Sequence, residues 1–413
     1  MLRPFQFVSL YQNHTGSSIP PEITLRLMAS LNIRIKPKYL GLIAGTLMLG
    51  LSGCSQSPQA QPSSHHIPTQ TRSLAKFEPA GDQVLVFIGQ DLGSIGGFEE
   101  YPDGYLDHFP TPAGFTLYTS IAGGRDSYGE VPIEGLQGIY ETFDNGNGPS
   151  NMTLMTSDAR FQNCALAIGL SLVNHEEAVA KGERDENIDR LGDYLLSLGS
   201  RPVFLRIGYE FDGHTWNHYD LEAYKGAYRR IKNRLDAKGI TNTAYVWQSV
   251  GWVSNQEQLE EWYPGDEYVD WCAYSFFDRF KEAEMIDFAR EKGKPIFIAE
   301  ASAAISDHTA KFDGDTKETR LGNPDQAQEA WDKWFEPFFE TIENNNDVIK
   351  AIHYINCDWS TRPMWFENPT FRDVDARIQN SEMISTKWME RMNQGRYVND
   401  SPELPQVWEG HDN

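Results

Sequence analysis

The feature that most constrains the fold is an alternation, sustained from residue 83 onward, between apolar β-branched runs and amphipathic charged runs. Eight of the apolar runs are predicted strands, at residues 83–90, 115–120, 165–173, 202–210, 243–249, 269–277, 295–301 and 349–359. Several are almost continuously apolar, which is typical of parallel strands that helices cover. This pattern predicts an α/β fold with a single (β/α)8 TIM barrel.

Helix boundaries favour the same architecture. Helices are predicted over 220–238, 280–292, 325–344 and 381–393, with a glycine directly after each of the first two. The competing fold, a doubly wound open sheet, normally carries a G-x-G-x-x-G turn after its first strand. The turn here reads GQDLGSIGG, and its spacing does not match.

The N-terminal segment is predicted to be a targeting sequence rather than part of the folded domain. Basic residues precede an apolar run at 39–51 that is too short to span a bilayer comfortably. The run ends in Leu-Ser-Gly before Cys54, which closely resembles the lipobox of bacterial lipoproteins. We therefore expect a lipoprotein signal peptide over 1–53, with Met28 as a plausible true start, and a lipid on Cys54.

Three segments follow the predicted cleavage point. Residues 54–80 are expected to form a flexible tether, because they begin with a stretch rich in Ser, Gln, Pro and His. Residues 81–400 are assigned to the barrel and residues 401–413 to a C-terminal tail. Ser55, directly after the cysteine, resembles the outer-membrane sorting signal of Gram-negative bacteria. The expected location is therefore extracytoplasmic, on the periplasmic or surface face of the outer membrane.

Two glutamates each close an apolar strand, Glu210 the fourth and Glu300 the seventh. In a (β/α)8 barrel the chemistry lies at the carboxyl ends of the strands, and the fourth and seventh lie roughly across the mouth from each other. Alternation places Arg206 in the phase of Glu210, and Ile296 and Ile298 in the phase of Glu300. Two opposed carboxyl groups are what glycosidic bond cleavage requires. Two unrelated structural ion pairs, such as Glu210 with Arg206, are the alternative.

The residues around these glutamates resemble a known family. Residues 201–213 (RPVFLRIGYEFDG) are similar to the fourth-strand motif R-P-V-x-x-R-x-x-H-E-x-x-G of glycoside hydrolase family 26, in clan A. Residues 294–302 (KPIFIAEAS) resemble its seventh strand. The resemblance implies double displacement with retention, in which Glu210 is the acid/base and Glu300 the nucleophile, with carboxyl groups about 5–5.5 Å apart.

Two departures from the family pattern bear on specificity. Tyr209 stands where the family has a histidine before the acid/base. Phe277 aligns with the family tyrosine that hydrogen-bonds the nucleophile, and whether nearby Tyr274 replaces that tyrosine is left open. These changes concern the mannan specificity typical of the family more than the hydrolytic pair.

Further side chains are candidate sugar-binding residues. By resemblance to clan A enzymes, Trp359 is expected to form an aromatic floor beside the cleavage point. The other candidates lie at strand ends or in the loops that follow: Gln90, Asp91, Arg206, Tyr209, His214, Trp216, Trp247, Gln248, Trp252, Tyr274, His353 and Asn356. By contrast, Trp331 and Trp334 lie on the apolar stripe of a helix and are expected in the core.

Charge and cysteine content narrow the class of protein. The chain has 36 basic and 59 acidic residues and a net charge of -23, which argues against a nucleic-acid partner and suits a neutral glycan. Four cysteines are too few for a disulfide scaffold. Apart from Cys54 there remain Cys164, Cys272 and Cys357, among which at most one disulfide can form.

No cofactor or metal is predicted. A metal-dependent barrel would be expected to carry His-x-His at the end of its first strand, and this chain has none there. His214 and His218 have helical ligand spacing but lie in a predicted loop, which disfavours zinc. Asp313 and Asp315 fit a solvated loop better than a calcium site.

The sequence therefore predicts a lipid-anchored glycoside hydrolase that contacts the membrane through its anchor only. Endo action is favoured, but the choice between endo and exo action is left open. Its substrate is expected to be a β-linked polysaccharide or oligosaccharide, with β-mannan, β-1,3-xylan, β-glucan and galactan all open. The alternative is a non-catalytic glycan-binding surface lipoprotein on the same barrel. The oligomeric state is also open.

Overall fold

A closed parallel barrel forms the centre of the protein. A computed structural model describes residues 73–124, 133–277, 281–305 and 319–409. The barrel strands are β1 (Val84–Gly89), β2 (Gly114–Ser120), β3 (Ala165–Ser171), β4 (Val203–Ile207), β5 (Thr243–Ser249), β6 (Trp271–Phe276), β7 (Ile296–Ala301) and β8 (Ile349–Ile355). Each pairs with the next in chain order, and β8 pairs with β1 to close the ring. The predicted (β/α)8 fold is confirmed, and each predicted strand overlaps an observed one.

Helices follow the strands, and they are longest in the second half of the chain. Those of the described residues are α1 (Leu92–Ile95), α2 (Met152–Ser157), α3 (Glu176–Ala180), α4 (Asp185–Ser197), α5 (Leu221–Ala237), α6 (Gln256–Trp262), α7 (Ala283–Lys292), α8 (Pro324–Ala330), α9 (Glu336–Asn344), α10 (Glu382–Met392) and α11 (Leu404–Glu409). Only the short α1 and α2 follow β1 and β2. Loops dominate there instead, and they build part of the cleft described below.

Local signals in the sequence explain the helix ends. Asp220 caps α5 by accepting a hydrogen bond from the amide of Ala223 at 2.9 Å, and Gly293 ends α7 with a left-handed φ of 65°. The predicted helix at 325–344 is divided by a π-helical turn, Trp331–Phe335, between α8 and α9. Pro337 follows that turn and has no amide hydrogen to continue the α-helical pattern, which accounts for the irregularity.

Aromatic rings fill the interior of the barrel. The ring of Phe87 lies 5.2 Å from that of Phe204 and 4.9 Å from that of Phe297, centroid to centroid. Phe77 and Leu404, from the two ends of the described chain, pack against this cluster. The folded domain therefore begins before residue 81 and extends past residue 400, so the predicted boundaries of tether and tail are both corrected: flanking segments supply part of the barrel core.

The layer between the strands and the helices is apolar. It contains Trp331 and Trp334, which are buried as predicted. Cys164, Cys272 and Cys357 are buried free thiols. Within the described ranges, no helix is long and apolar enough to cross a bilayer. The predicted signal peptide and Cys54 lie outside the described residues.

Candidate active site

One cleft opens at the carboxyl ends of the strands. Its volume is about 470 Å³, and residues at or after the end of every barrel strand line it. Glu210 and Glu300 both do so, together with Trp216, Trp252 and Trp359. The two carboxyl groups singled out in the sequence therefore share one cavity.

Glu300 reaches the cleft through an irregularity in β7. In the regular part of that strand, Phe297 and Ala299 face the barrel interior, whereas Ile296 and Ile298 face the helices. The register with β6 then shifts, so that Tyr274 pairs with Ile298 but Ser275 pairs with Glu300. This β-bulge turns Glu300 inward. The predicted shared phase of Ile296, Ile298 and Glu300 is thus wrong, because one extra residue intervenes.

Glu210 stands on a turn rather than on a strand. β4 ends at Ile207, and both Gly208 and Glu210 have left-handed φ angles, of 55° and 54°. A Cβ atom at Gly208 would lie 2.7 Å from the ring of Tyr224, so only glycine fits. A left-handed non-glycine residue costs about 1–3 kcal/mol and is found where a site requires it. The side-chain amide of Asn217 secures the turn by donating to the carbonyl oxygen of Glu210 at 2.6 Å.

The carboxylate of Glu300 is held by a cation and a phenol. The guanidinium of Arg206, which is fully buried, donates from Nη2 to Glu300 Oε1. Tyr118, on β2, donates its hydroxyl to the same oxygen at 2.9 Å and accepts from Arg206 Nη1 at 3.1 Å. The buried guanidinium thus places a positive charge against this carboxylate, an arrangement expected of a nucleophile.

The carboxyl group of Glu210 has neutral partners. Ser275 donates its hydroxyl to Oε1 at 2.6 Å, and the indole of Trp216 donates to Oε2 at 3.0 Å. Loss of hydration raises the pKa of Glu210 to about 8, and the negative charge of Glu300 adds to the rise. A carboxyl group whose pKa is raised in this way is typical of a general acid.

A continuous chain of hydrogen bonds joins the two carboxyl groups. Arg206 Nε donates to Gln248 Oε1 at 2.7 Å, and Gln248 Nε2 donates to the hydroxyl of Ser275 at 3.0 Å. The chain therefore runs from Glu300 through Arg206, Gln248 and Ser275 to Glu210. Because every link is buried or nearly so, the geometry of the pair is set before any ligand enters.

Five of the predicted sugar-binding side chains line the cleft: Gln90, Tyr209, Trp216, Trp252 and Trp359. Trp359 stacks on Phe371 with ring centroids 4.3 Å apart and is only 1% exposed, so it forms the floor of the cleft rather than its side wall. Arg206 and Gln248 lie one layer deeper, behind the carboxyl groups.

Three other predicted residues are structural. Asn356 bonds the amide of Ile378 at 2.8 Å, and His353 Nδ1 bonds the carbonyl of Ala299 at 2.7 Å. Burial lowers the pKa of His353 to about 3, so the ring is neutral. Asp91 caps α1 and is 1% exposed. These side chains bond protein groups beneath the cleft and are absent from its wall.

Trp247, Tyr274 and His214 do not line the cleft. Since neighbours on a strand face opposite sides, the inward position of Gln248 forces Trp247 outward, where it stacks on Phe211 at 4.4 Å. Tyr274 is likewise buried on the helix side of β6, and within the described residues its hydroxyl has no hydrogen-bond partner. His214 is exposed. The question that the sequence left open, whether Tyr274 replaces the family tyrosine, is answered by Tyr118, which is the tyrosine that bonds Glu300.

Sequence reasoning also missed Tyr118, Ser275, Asn147 and Trp365, which line the cleft. For Tyr118 a signal existed, because it shares an alternation phase with Thr116 and Ser120, a polar series on an otherwise apolar strand. Ser275 gives a similar signal, because it is a polar residue at the end of an apolar strand. Asn147 and Trp365 lie in long loops, where the periodicity of the sequence does not indicate which way a side chain points.

The described residues contain no group of three or more His, Cys, Asp or Glu side chains placed to hold a metal ion. Asp313 and Asp315, weighed above as calcium ligands, lie outside those residues.

A (β/α)8 barrel with two carboxyl groups in one tryptophan-lined cleft defines the protein as a glycosidase. The model of glycosyl hydrolase family 26 matches residues 163–354. A β-1,3-xylanase of Vibrio sp., TXYA, is 32% identical over 337 residues, covering 78% of this chain and 67% of that protein. A β-1,3-xylanase of Alcaligenes sp. is 31% identical over 335 residues, covering 78% and 66%. The chain belongs to glycosyl hydrolase family 26.

Solved structures agree on the fold. A family 26 β-mannanase from Bacteroides ovatus superposes with a TM-score of 0.51 at 16% identity, covering 78% of this chain and 92% of that one. Family 26 protein GH26C from Muricauda sp. also gives 0.51, at 14% identity, with 78% and 90% covered. The chain spans about two thirds of the length of the two xylanases.

Proposed function

We propose that the protein hydrolyses β-1,3-xylan from within the polymer, with retention of anomeric configuration. Its similarity to two β-1,3-xylanases, at 32% and 31% identity, supports that substrate over mannan, glucan and galactan. The observation that carries the proposal is the pair of carboxyl groups in one cleft, Glu300 against the cation of Arg206 and Glu210 with neutral donors.

The proposed reaction has two steps. Glu300 attacks the anomeric carbon while Glu210 gives its proton to the glycosidic oxygen, whose bond to that carbon breaks. Glu210 then takes a proton from water, the water oxygen attacks the anomeric carbon, and Glu300 is released. Arg206 and Tyr118 orient Glu300, and Ser275 and Trp216 orient Glu210.

The distribution of aromatic side chains supports cleavage within a chain. Trp216 and Trp252 follow β4 and β5, whereas Trp365 follows β8, on the opposite side of the barrel mouth. A glycan lying across the mouth would meet indole surface on both sides of the glutamates.

A glycan panel tests the proposal. We expect release of reducing ends from β-1,3-xylan at least about tenfold faster than from β-1,4-xylan, β-mannan, β-1,3-glucan or a neutral galactan, since a mismatched sugar typically costs that much or more. Proton NMR of the first product should show the β-anomer before mutarotation, and viscosity should fall early. Another preferred glycan would change the substrate, and an initial α-anomer would mean inversion.

We also propose that a lipid on Cys54 holds the enzyme at the outer membrane. The basic residues, apolar run and Leu-Ser-Gly-Cys ending support this. In a Gram-negative host, the full chain should incorporate labelled palmitate and sediment with outer membranes, and Cys54→Ala should do neither. Cys164→Ala, which removes a buried thiol, serves as the matched control. Labelling that survives Cys54→Ala would disprove the anchor.

A further inference from the structure

Three segments far apart in sequence meet at one side of the cleft. Gln90 follows β1, Asn147 lies in the loop between Phe143–Asp144 and Pro149–Ser150, and Trp365 follows β8. Asn147 Oδ1 accepts from the indole of Trp365 at 2.6 Å and from Gln90 Nε2 at 2.9 Å. We call these three residues the amide wall.

The amide wall is braced from behind by Asp91. This buried carboxylate accepts hydrogen bonds from Arg362 at 2.8 Å and from the backbone amide of Gly93 at 2.8 Å, so it connects the β8 loop to α1.

The loop that carries Asn147 packs closely against the same carboxylate. Gly148, beside Asn147, has a φ of 107°, and a Cβ there would lie 2.5 Å from Asp91 Cγ. Met364 N donates to Gly146 O at 3.0 Å. Rigid support of this kind is what a preorganised binding site requires.

The chemistry of the amide wall suits a neutral sugar. Two donors already occupy Asn147 Oδ1, and within the described residues its Nδ2 has no hydrogen-bond acceptor. A carboxamide fixed in this way presents donor hydrogens to the cleft that it lines, beside the indole of Trp365. A sugar offers the complement, hydroxyl oxygens around its rim and an apolar C–H face.

We propose that Gln90, Asn147 and Trp365 form a subsite for a neutral sugar of the glycone, next to the sugar over Glu300. This rests on the proposed function for its direction. Glu210 protonates the oxygen of the leaving part, and Glu210 follows β4. The amide wall follows β8, β1 and β2, across the barrel from β4, and therefore meets the part of the glycan that stays bonded to Glu300.

Binding without turnover tests the subsite. In a Glu300→Gln background, affinity for β-1,3-linked xylotriose is measured by titration calorimetry, with Asn147→Asp or Asn147→Ala added. Asn147→Asp keeps the Oδ1 acceptor for Trp365 and Gln90 but loses the Nδ2 donor. We expect both substitutions to weaken binding about tenfold. Unchanged affinity in Asn147→Asp, or no binding to the parent, would overturn the subsite.

Cleavage of two aryl glycosides separates this proposal from the proposed function. The wild type should prefer 4-nitrophenyl β-1,3-xylobioside to 4-nitrophenyl β-xyloside in kcat/KM, and Asn147→Asp should reduce that preference about tenfold, because kcat/KM should fall more on the xylobioside than on the xyloside. An equal loss on both substrates would contradict a role in the second sugar's subsite. Wild-type enzyme that binds xylotriose but cleaves no glycan would instead contradict the proposed function.

Discussion

Replacement of Glu300 by alanine should lower kcat on the glycan by about four orders of magnitude, because the proposed nucleophile is removed while the rest of the cleft is retained. Glu210→Ala should have a similar effect on the glycan, whose leaving group needs a proton. With an activated aryl glycoside, Glu210→Ala should still form the glycosyl-enzyme quickly and then stall, giving a burst of phenol.

Azide distinguishes the two roles. In Glu210→Ala, azide needs no general base to attack the intermediate on Glu300, so the rescued product should be the β-glycosyl azide. In Glu300→Ala, azide occupies the position of the missing carboxylate and should give the α-glycosyl azide. The anomers are assigned by proton NMR. The opposite assignment would exchange the roles of the two residues, and no rescue in either would contradict double displacement.

The pH profile provides an internal check. Because Glu210 must carry a proton to act as an acid, and its pKa is raised to about 8, kcat/KM on the glycan should fall as the pH rises through that value. On an activated aryl glycoside, whose departure needs no proton, this basic limb should weaken. Glu282→Gln, at a partly buried glutamate outside the cleft, is the matched control and should leave both profiles unchanged.

The barrel could be predicted from the sequence because parallel strands buried on both faces have an unmistakable apolar pattern. The identity of the two glutamates could be predicted as well, since an ionisable residue that ends an apolar strand is rare. The direction in which their side chains point could not be predicted. Glu300 turns inward only through the bulge in β7, and Glu210 stands beyond Gly208 in a left-handed turn. Strict alternation contains no information about an inserted residue.

The residues around the pair were harder still to place. Adjacent Trp247 and Gln248 are both predicted for the cleft, although neighbours on a regular strand face opposite sides. Asp91 was proposed as a sugar ligand, yet it braces the loops from behind. Asn147 and Trp365 come together only because three loops meet, and their distance along the chain, 218 residues, leaves no local signal.

Replacement of Arg206 by methionine should have the second largest effect, on stability as well as activity. The guanidinium is fully buried and donates to Glu300, Tyr118 and Gln248. Its removal leaves Glu300 as a largely buried carboxylate without a counter-charge, which typically costs about 3–5 kcal/mol in the free energy of unfolding. We expect kcat to fall about 10³-fold, because the proposed nucleophile loses both its charge partner and its orientation.

Graded variants separate charge from geometry. Arg206→Lys keeps the charge but cannot bond Glu300 and Gln248 together, so its kcat should lie between those of Arg206→Met and wild type. Tyr118→Phe removes one neutral donor from Glu300 and should cost about tenfold in kcat with little loss of stability. Equal losses in all three variants would indicate general damage to the cleft.

A double-mutant cycle on stability identifies the origin of the Arg206 effect. If Arg206→Met destabilises because it strands the charge of Glu300, adding Glu300→Gln must recover part of the loss, since the uncompensated charge is then gone. Glu300→Gln alone should also destabilise, because it strands Arg206 instead. Additive losses, measured by urea unfolding, would mean that Arg206 acts through packing. A positive coupling energy would show that the Arg206–Glu300 pair, which holds the carboxylate of the proposed site, also stabilises the fold of the barrel mouth.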